Sequence, residues 1–327
     1  MGALLACLFC VGCFCVGCGT QSEQRTAPAN AAKTQAVALQ LNWYPEAEHG
    51  GFYAALVEGI YEAAGLDVEI RPGGRATPVA AELSMGRAQF AISNAADVLL
   101  FREQGADIVA VMAAMQDNPR CLIVREDSGV ENLQQLAGQT LQLGTGRPFV
   151  EYLKQSGVLE GVKVVPYFGT ITQLVTTPNM AQQGYVFSEP LLAEAAGTPV
   201  RALMVSELGF NPYASVLVTS GQMLREKRDI VERVVQASID GWSQYLAAPM
   251  ATNQHIVAQN KHGLTLAALN YGAEKMRPLV LPDDIPSDSL GAMIPARWQE
   301  LTEQMIELGL VRADQVRAKD CYEVLVH

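Results

Sequence analysis

The sequence predicts an α/β protein of two lobes, each a mostly parallel sheet with flanking helices, facing each other across a cleft. Three observations carry that prediction. Strand-like and helix-like segments alternate from Val37 to Met115, as they do when parallel strands are joined by covering helices. The alternation restarts at Cys121 after an Asn118-Pro119 step, and a second such step stands at Asn211-Pro212. From Met223 onward the pattern is helical.

The elements follow in order. "AVALQL" places Val37, Leu39 and Leu41 at a period of two, a half-buried strand. "FYAALVEGIYEAAG" puts Phe52, Leu56, Ile60 and Ala63 on one helical stripe that Gly65 closes. "LDVEI" alternates again. Pro78 opens the helix "PVAAELSMG", "AQFAIS" is a third strand, and Asn94 can cap the helix "AADVLLFREQG". "DIVAVMAAM" is the fourth strand. In the second half, "CLIVRED", "QTLQLG", "VKVVPY", "GYVFSE" and "RALMVSE" read as strands, with helices at "VENLQQLAG" and "PFVEYLKQSG". Three helices close the chain: "REKRDIVERVVQASIDGWSQYLAA", "PMATNQHIVAQNKHG" and "PARWQELTEQMIELG". The two Asn-Pro steps disfavour helix and mark the crossings between lobes. The expected division is 37–120 for the first part of lobe 1, 121–212 for lobe 2, and 213–327 for the return to lobe 1 with the C-terminal helices.

The ends and the composition narrow the class. "MGALLACLFCVGCFCVGC" is an apolar run too short to span a bilayer, and it matches a secretion signal over residues 1–18. Its end resembles a bacterial lipobox, with Cys18 as the lipidation candidate and Cys13 as the second choice; no Lys or Arg precedes the run. Residues 19–36 are small and polar, a flexible tether. Five of the seven cysteines lie in the signal-like segment, which leaves Cys121 and Cys321, whose pairing the sequence leaves open. With 49% hydrophobic and 17% charged residues the chain is globular, and a net charge of -11 argues against nucleic acid as a partner. No serine-hydrolase, zinc-protease or phosphate-loop motif is present. His49, His255, His262 and His327 have no metal-ligand spacing. Neither catalytic residues, a metal nor a cofactor is expected.

In open α/β sheets ligands lie beyond the carboxyl ends of the strands. Asn42, Trp43 and Tyr44 follow the first strand directly, and His49 with Gly50-Gly51 precedes a helix whose free N–H groups favour a negative or carbonyl group. Trp43 offers a flat face to a planar ligand. Other strand ends supply Asn94, Gln116, Tyr185 and Glu189, and the second crossing supplies Asn211 and Tyr213. Glu189 can accept hydrogen bonds from an amine or aminopyrimidine edge. Each position also has a plain reading as a cap or packing residue; together they describe a cleft of amides, aromatics and carboxylates. Arg147, after "QTLQLG", is the candidate anion ligand.

Four stretches carry a family likeness: "LNWYPEAEHGGFYAALVEGIYEAAGLDVEI", "GRAQFAISNAADVLLFREQGADIVAVMA", "ENLQQLAGQTLQL" and "QQGYVFSEPLLAEAAG". They resemble the type II periplasmic solute-binding proteins of ABC importers. The branch most similar groups fungal hydroxymethylpyrimidine synthases with bacterial thiamine-precursor binding proteins and has nitrate-, alkanesulfonate- and riboflavin-binding relatives. The resemblance implies a type II periplasmic-binding-protein fold, permease and ATPase partners, and pyrimidine contacts at Asn42, Trp43, His49 and Glu189. It departs at Asn42, where the branch often has Asp. The fungal synthases use a pyridoxal phosphate lysine and a cysteine cluster; no such cluster follows the signal-like segment, and Lys154, Lys163 and Lys261 lack a supporting motif. The expectation is an exported, monomeric lipoprotein on the periplasmic or cell-surface face of the membrane. It would capture a small planar nitrogenous solute, a thiamine pyrimidine precursor, with Trp43 and Tyr185 stacking. The alternatives are a sulfonate- or nitrate-type anion, riboflavin, or an enzyme of the synthase type.

Overall fold

A computed structural model describes residues 34–283 and 285–325. The signal-like segment with Cys18, the tether up to residue 33, and His327 lie outside the described residues. Lobe 1 begins with β1 (Gln35–Gln40), α1 (Gly50–Val57), α2 (Ile60–Ala63), β2 (Leu66–Arg71), α3 (Val79–Ser84), β3 (Phe90–Ser93), α4 (Ala95–Glu103) and β4 (Ile108–Met115). Lobe 2 follows with β5 (Arg120–Arg125), β6 (Thr140–Leu143), α5 (Pro148–Gln155), β7 (Lys163–Pro166), α6 (Thr172–Thr176), β8 (Met180–Tyr185), α7 (Glu189–Ala195) and β9 (Val200–Met204). The chain then returns through β10 (Ala214–Ser220), α8 (Gly221–Glu226), α9 (Arg228–Ala247), α10 (Met250–Gln259), α11 (Leu266–Val280) and α12 (Pro295–Glu307).

The two sheets share one plan. Sheet order is β2-β1-β3-β10-β4 in lobe 1 and β7-β6-β8-β5-β9 in lobe 2. In each, four strands run one way, and the antiparallel exception is the strand that follows a crossing, β10 or β5. Register keeps apolar residues paired: Val37 faces Val68 and Leu39 faces Phe90. β4 is buried along its whole length, because helices cover both faces of the sheet, so its sequence IVAVMAAM is a continuous apolar run rather than an alternation. Its outer edge is closed by bridges from Gly291 to Ala113 and from Tyr322 to Ala110, which removes an exposed row of backbone donors.

Helix α9 buries Ile230, Val234, Ala237, Gly241 and Tyr245 at helical spacing and lies on α1, whose Gly50 to Ala55 are buried. The approach depends on glycine. A Cβ on Gly51 would overlap the Trp242 indole, one on Gly50 the Tyr245 ring, and one on Gly241 the Gly51 carbonyl oxygen. The paired glycines therefore serve helix packing, not anion binding.

Several sequence expectations are corrected. The helix expected over 52–65 breaks where Gly59 takes φ 70°, giving α1 and α2. The helix expected over 130–138 is a single 3-10 turn, Leu133–Gln135, capped by the Asn132 side chain. The strand expected over 184–189 lies at Met180–Tyr185, and Glu189 opens a helix instead of ending a strand. The sequence expectation has no helix at α6, α7 or α11. Cys121 and Cys321 are both free and buried, under α7 and α12 respectively; burial pushes the Cys321 thiol up to about 12. Among the described residues no helix is long and apolar enough to cross a membrane.

Candidate functional site

The loop after β1 forms the first wall. Gly73 donates its N–H to the Trp43 carbonyl (2.9 Å), and a Cβ on Gly73 would overlap the Leu41 carbonyl oxygen. Residues 41–43 are thus clamped, leaving Trp43 half-buried with its ring edge-on to Tyr44 at 5.2 Å. His49 is fully buried. Its Nδ1 accepts the Glu46 N–H (3.4 Å) and its Nε2–H donates to Asn42 Oδ1 (3.1 Å), which sets the tautomer. Burial drops the imidazole to about 3, so it is neutral, and its 3.3 Å contact with Glu48 is not an ion pair. His49 therefore stands behind Asn42 and aims it.

Two acids beside it face the second lobe. Burial raises the Glu48 carboxyl to about 7, with the Arg120 charge pulling it down and the Glu189 charge pushing it up. Glu46 is raised well above the ordinary range by burial, then by Glu48 and Glu189. Ser215 fixes this segment by donating its hydroxyl to the Glu48 carbonyl (3.2 Å). It does so from a left-handed backbone, φ 50°, a conformation that costs a non-glycine residue about 1–3 kcal/mol.

These shifts give stability a pH signature. In the fold Glu48 keeps its proton up to about 7, against 4.5 for an ordinary carboxyl. The unfolded chain then ionises first, and stability falls as pH rises between those values. His49 acts in reverse. Its value drops from 6.5 to about 3, so the unfolded chain binds the extra proton and stability rises with pH across that window. The two slopes offset each other where the windows overlap. Glu48→Gln is expected to expose the histidine's rise and His49→Gln the carboxyls' fall, with Glu46 adding to the latter. Denaturant midpoints measured across pH check this; identical profiles for the three proteins would refute it.

The second wall belongs to lobe 2. Arg120, the first residue of β5, pairs across the strands with Tyr185. Its guanidinium lies 4.0 Å from the Tyr185 ring and 4.8 Å from Phe149. Glu189, in the first turn of α7, is held at both oxygens: Tyr167 donates its hydroxyl (3.1 Å) and Tyr185 its backbone N–H (2.8 Å). Gly184 makes room for that carboxylate, which a Cβ there would crowd. Across the mouth, Arg75 of lobe 1 donates to the Phe168 and Gly169 carbonyls of lobe 2 (3.0 and 3.3 Å). On the other side Gly272 of α11 packs against Ala47 and Phe187. A cavity of about 40 Å³ remains there, lined by Glu46, Phe187, Ser188, Leu192 and Leu269, room for little more than a water.

The sequence candidates divide accordingly. Asn42 and Trp43 share the loop of Glu46 and Glu48, whose charges reach Glu189 and Tyr185 of lobe 2, and His49 stands behind Asn42. Asn94, at the start of α4, donates to Asp97 (3.1 Å), whose charge Tyr185 feels. Gln116, Asn211 and Tyr213 instead belong to the crossings. Gln116 turns away and donates to the Ala113 and Ala292 carbonyls (3.3 and 3.0 Å). Asn211 accepts the Asn118 N–H and donates to Asp117, both at 2.8 Å. Tyr213 is buried beneath Arg297 at 3.9 Å and accepts the Ile294 N–H (2.9 Å). Arg147 is exposed at the start of α5. Lys154 pairs with Glu151, and Lys163 and Lys261 are exposed. The residues that sequence reasoning missed are Glu46, Glu48, Arg120 and Tyr167; an arginine heading an apolar strand just after an Asn-Pro crossing was the available signal.

Asn211→Ala is expected to lower stability by about 1–3 kcal/mol, because it strands the Asn118 N–H in the crossing. Urea midpoints read this, and a change under about 0.5 kcal/mol would remove the hinge role.

The comparisons with known proteins follow this geometry. A family model described as "NMT1/THI5 like" matches residues 46–252. A riboflavin-binding protein of Chloroflexus aurantiacus is 27% identical over 234 residues, 68% of this chain and 66% of that protein, just under two thirds of its length. A formylaminopyrimidine-binding protein of Halalkalibacterium halodurans is 27% identical over 308 residues, 91% of this chain and 90% of that one. Among solved structures, the periplasmic aliphatic sulphonate-binding protein of Escherichia coli superposes with a TM-score of 0.68 at 13% identity, covering 89% of this chain and 92% of that one.

Proposed function

The chain belongs to the NMT1/THI5-like family, and from that membership we propose that it is the solute-binding component of an ABC importer, specific for a thiamine pyrimidine precursor. One observation carries the choice of solute. Glu46 and Glu48 of lobe 1 and Glu189 of lobe 2 are drawn together at aromatic walls, close enough for their charges to act on one another. Desolvated carboxylates are costly unless a donor meets them, and the amino edge of an aminopyrimidine supplies such donors while its ring stacks on Trp43 and Tyr185. The name of the relative from Halalkalibacterium halodurans supports the same solute class.

Two lobes joined by two short crossings close by hinge motion, and the closed mouth, with Arg75 across it, is what a permease would meet. Export and anchoring through Cys18 complete the reading; incorporation of a labelled fatty acid that Cys18→Ser abolishes is the expected result.

The test of function is a thermal-shift panel of aminopyrimidines, flavins, sulfonates, nitrate and pyridoxal phosphate on the purified protein. A saturable rise with an aminopyrimidine, lost in Trp43→Ala, supports the reading. A rise confined to sulfonate, nitrate or flavin overturns the solute, and turnover with pyridoxal phosphate overturns the transport role.

A further inference from the structure

Resting on the reading of a solute held between the lobes, we propose that Arg75 is a positioning residue that governs how long the solute stays. It acts through the two walls of the site, which it latches together at the mouth.

Topology puts this contact at the end of the lever. The crossings join β4 to β5 and β9 to β10, while β2 and β7 are the edge strands on the far side of their sheets. Arg75 follows β2 and Phe168 follows β7. Their contact therefore closes the seam farthest from the hinge, where a given rotation separates the lobes most. A modest interaction resists opening better there than beside the crossings.

The contact is built from both sides. The turn that carries Arg75 is pinned by Thr77, whose hydroxyl accepts the Gly74 N–H (2.7 Å) and donates to the Gly74 carbonyl (3.1 Å). From that turn the guanidinium donates to the Phe168 and Gly169 carbonyls at 3.0 and 3.3 Å. Both acceptors are backbone atoms, so the latch asks nothing of the solute. Gly169 has φ 72°, a left-handed conformation open to glycine. A Cβ there would also overlap the Arg75 guanidinium. Glycine at 169 thus shapes the turn and leaves the space that the guanidinium fills.

Each end of the latch is joined to a wall. In lobe 1, Gly73 of the same turn donates its N–H to the Trp43 carbonyl (2.9 Å), and a Cβ on Gly74 would press on the Tyr44 ring at 3.2 Å. In lobe 2, Tyr167 directly precedes Phe168. Its N–H is held by the Leu143 carbonyl (3.1 Å) and its hydroxyl donates to Glu189 (3.1 Å). The latch therefore sets the spacing between the Trp43 wall and the Glu189 wall, and its release lets them part. Arg75 acts on exit of the solute, not on which solute enters.

Stopped-flow binding of a hydroxymethyl aminopyrimidine to the purified protein separates entry from exit. Arg75 is exposed, so Arg75→Ala is expected to speed dissociation by about threefold to tenfold, the range of a solvent-screened hydrogen-bonded contact. The association rate should be unchanged or raised. Arg75→Lys, which keeps the charge and loses the fork, is expected to fall between. Gly169→Ala crowds the same guanidinium and is expected to act in the same direction. Arg75→Ala/Gly169→Ala should be no faster than the faster single variant, because both changes remove one contact. Effects that multiply in the double variant mean separate loop defects and overturn the proposal, as does an unchanged dissociation rate in Arg75→Ala. Small-angle scattering without solute tests the latch by itself. Arg75→Ala is expected to show the larger radius of gyration, and a radius equal to the wild type's overturns the latch. If the probe fails to bind the wild type, the solute class falls and scattering alone decides on Arg75.

Discussion

Gly51→Ala is expected to destabilise the protein by about 3 kcal/mol, the upper part of the range for overpacking a rigid core. The added methyl would overlap the Trp242 indole, and Trp242 is fully buried between Phe52 and Tyr245, at 5.8 and 5.9 Å ring to ring. Withdrawing either helix would open the close Gly241–Gly51 contact and leave a gap between them. The comparison is Trp242→Ala, which creates a cavity and is expected to cost about 3–5 kcal/mol. The double variant Gly51→Ala/Trp242→Phe should cost less than the sum of its parts, since the smaller ring gives the methyl room. Chemical denaturation of the four proteins measures this. A Gly51→Ala midpoint equal to the wild type would show that the helices move apart freely, and the packing account would fail.

Glu189→Ala is expected to weaken solute binding about a hundredfold, the cost of removing one partner of a desolvated charge-assisted contact. The carboxylate is held by Tyr167 and Tyr185 before the solute arrives, so little ordering remains to be done on binding. Glu189→Gln keeps the shape and loses the charge, and about a tenfold loss is expected of it. Stability should move less than binding, because Glu189 is only partly buried and makes its contacts at a helix start. Calorimetry with a solute found in the thermal-shift panel reads both variants. Wild-type affinity in Glu189→Ala would take this residue out of the site.

Much of the architecture was legible because it follows from period and punctuation. The strand-helix alternation and both crossings could be read that way. The register of β8 was hidden because Gln182 and Gln183 are buried, while the apolar pair Val186-Phe187 beyond the true strand imitated one. Helix α11 was obscured by a glycine and by Pro278 in its last turns. Gln116, Asn211 and Tyr213 read as cleft residues because hinge and cleft both require polar and aromatic groups at strand ends, and a single sequence does not separate the two uses. Arg120 escaped for the opposite reason: a cation at the head of an apolar strand looks like solvation until the rings on either side are seen.

The position of β10 between β3 and β4 bears on how the chain assembles. Ser93 faces Val216 and Ala113 faces the same residue from the other side, so the centre of the first sheet waits for a segment made more than about a hundred residues later. Such distant pairing closes slowly. Lobe 2 has no such dependence, since β5 to β9 are contiguous in sequence and pair only among themselves. A chain emerging from its N-terminus onward therefore completes lobe 2 first, and lobe 1 stays an open sheet until the return strand arrives.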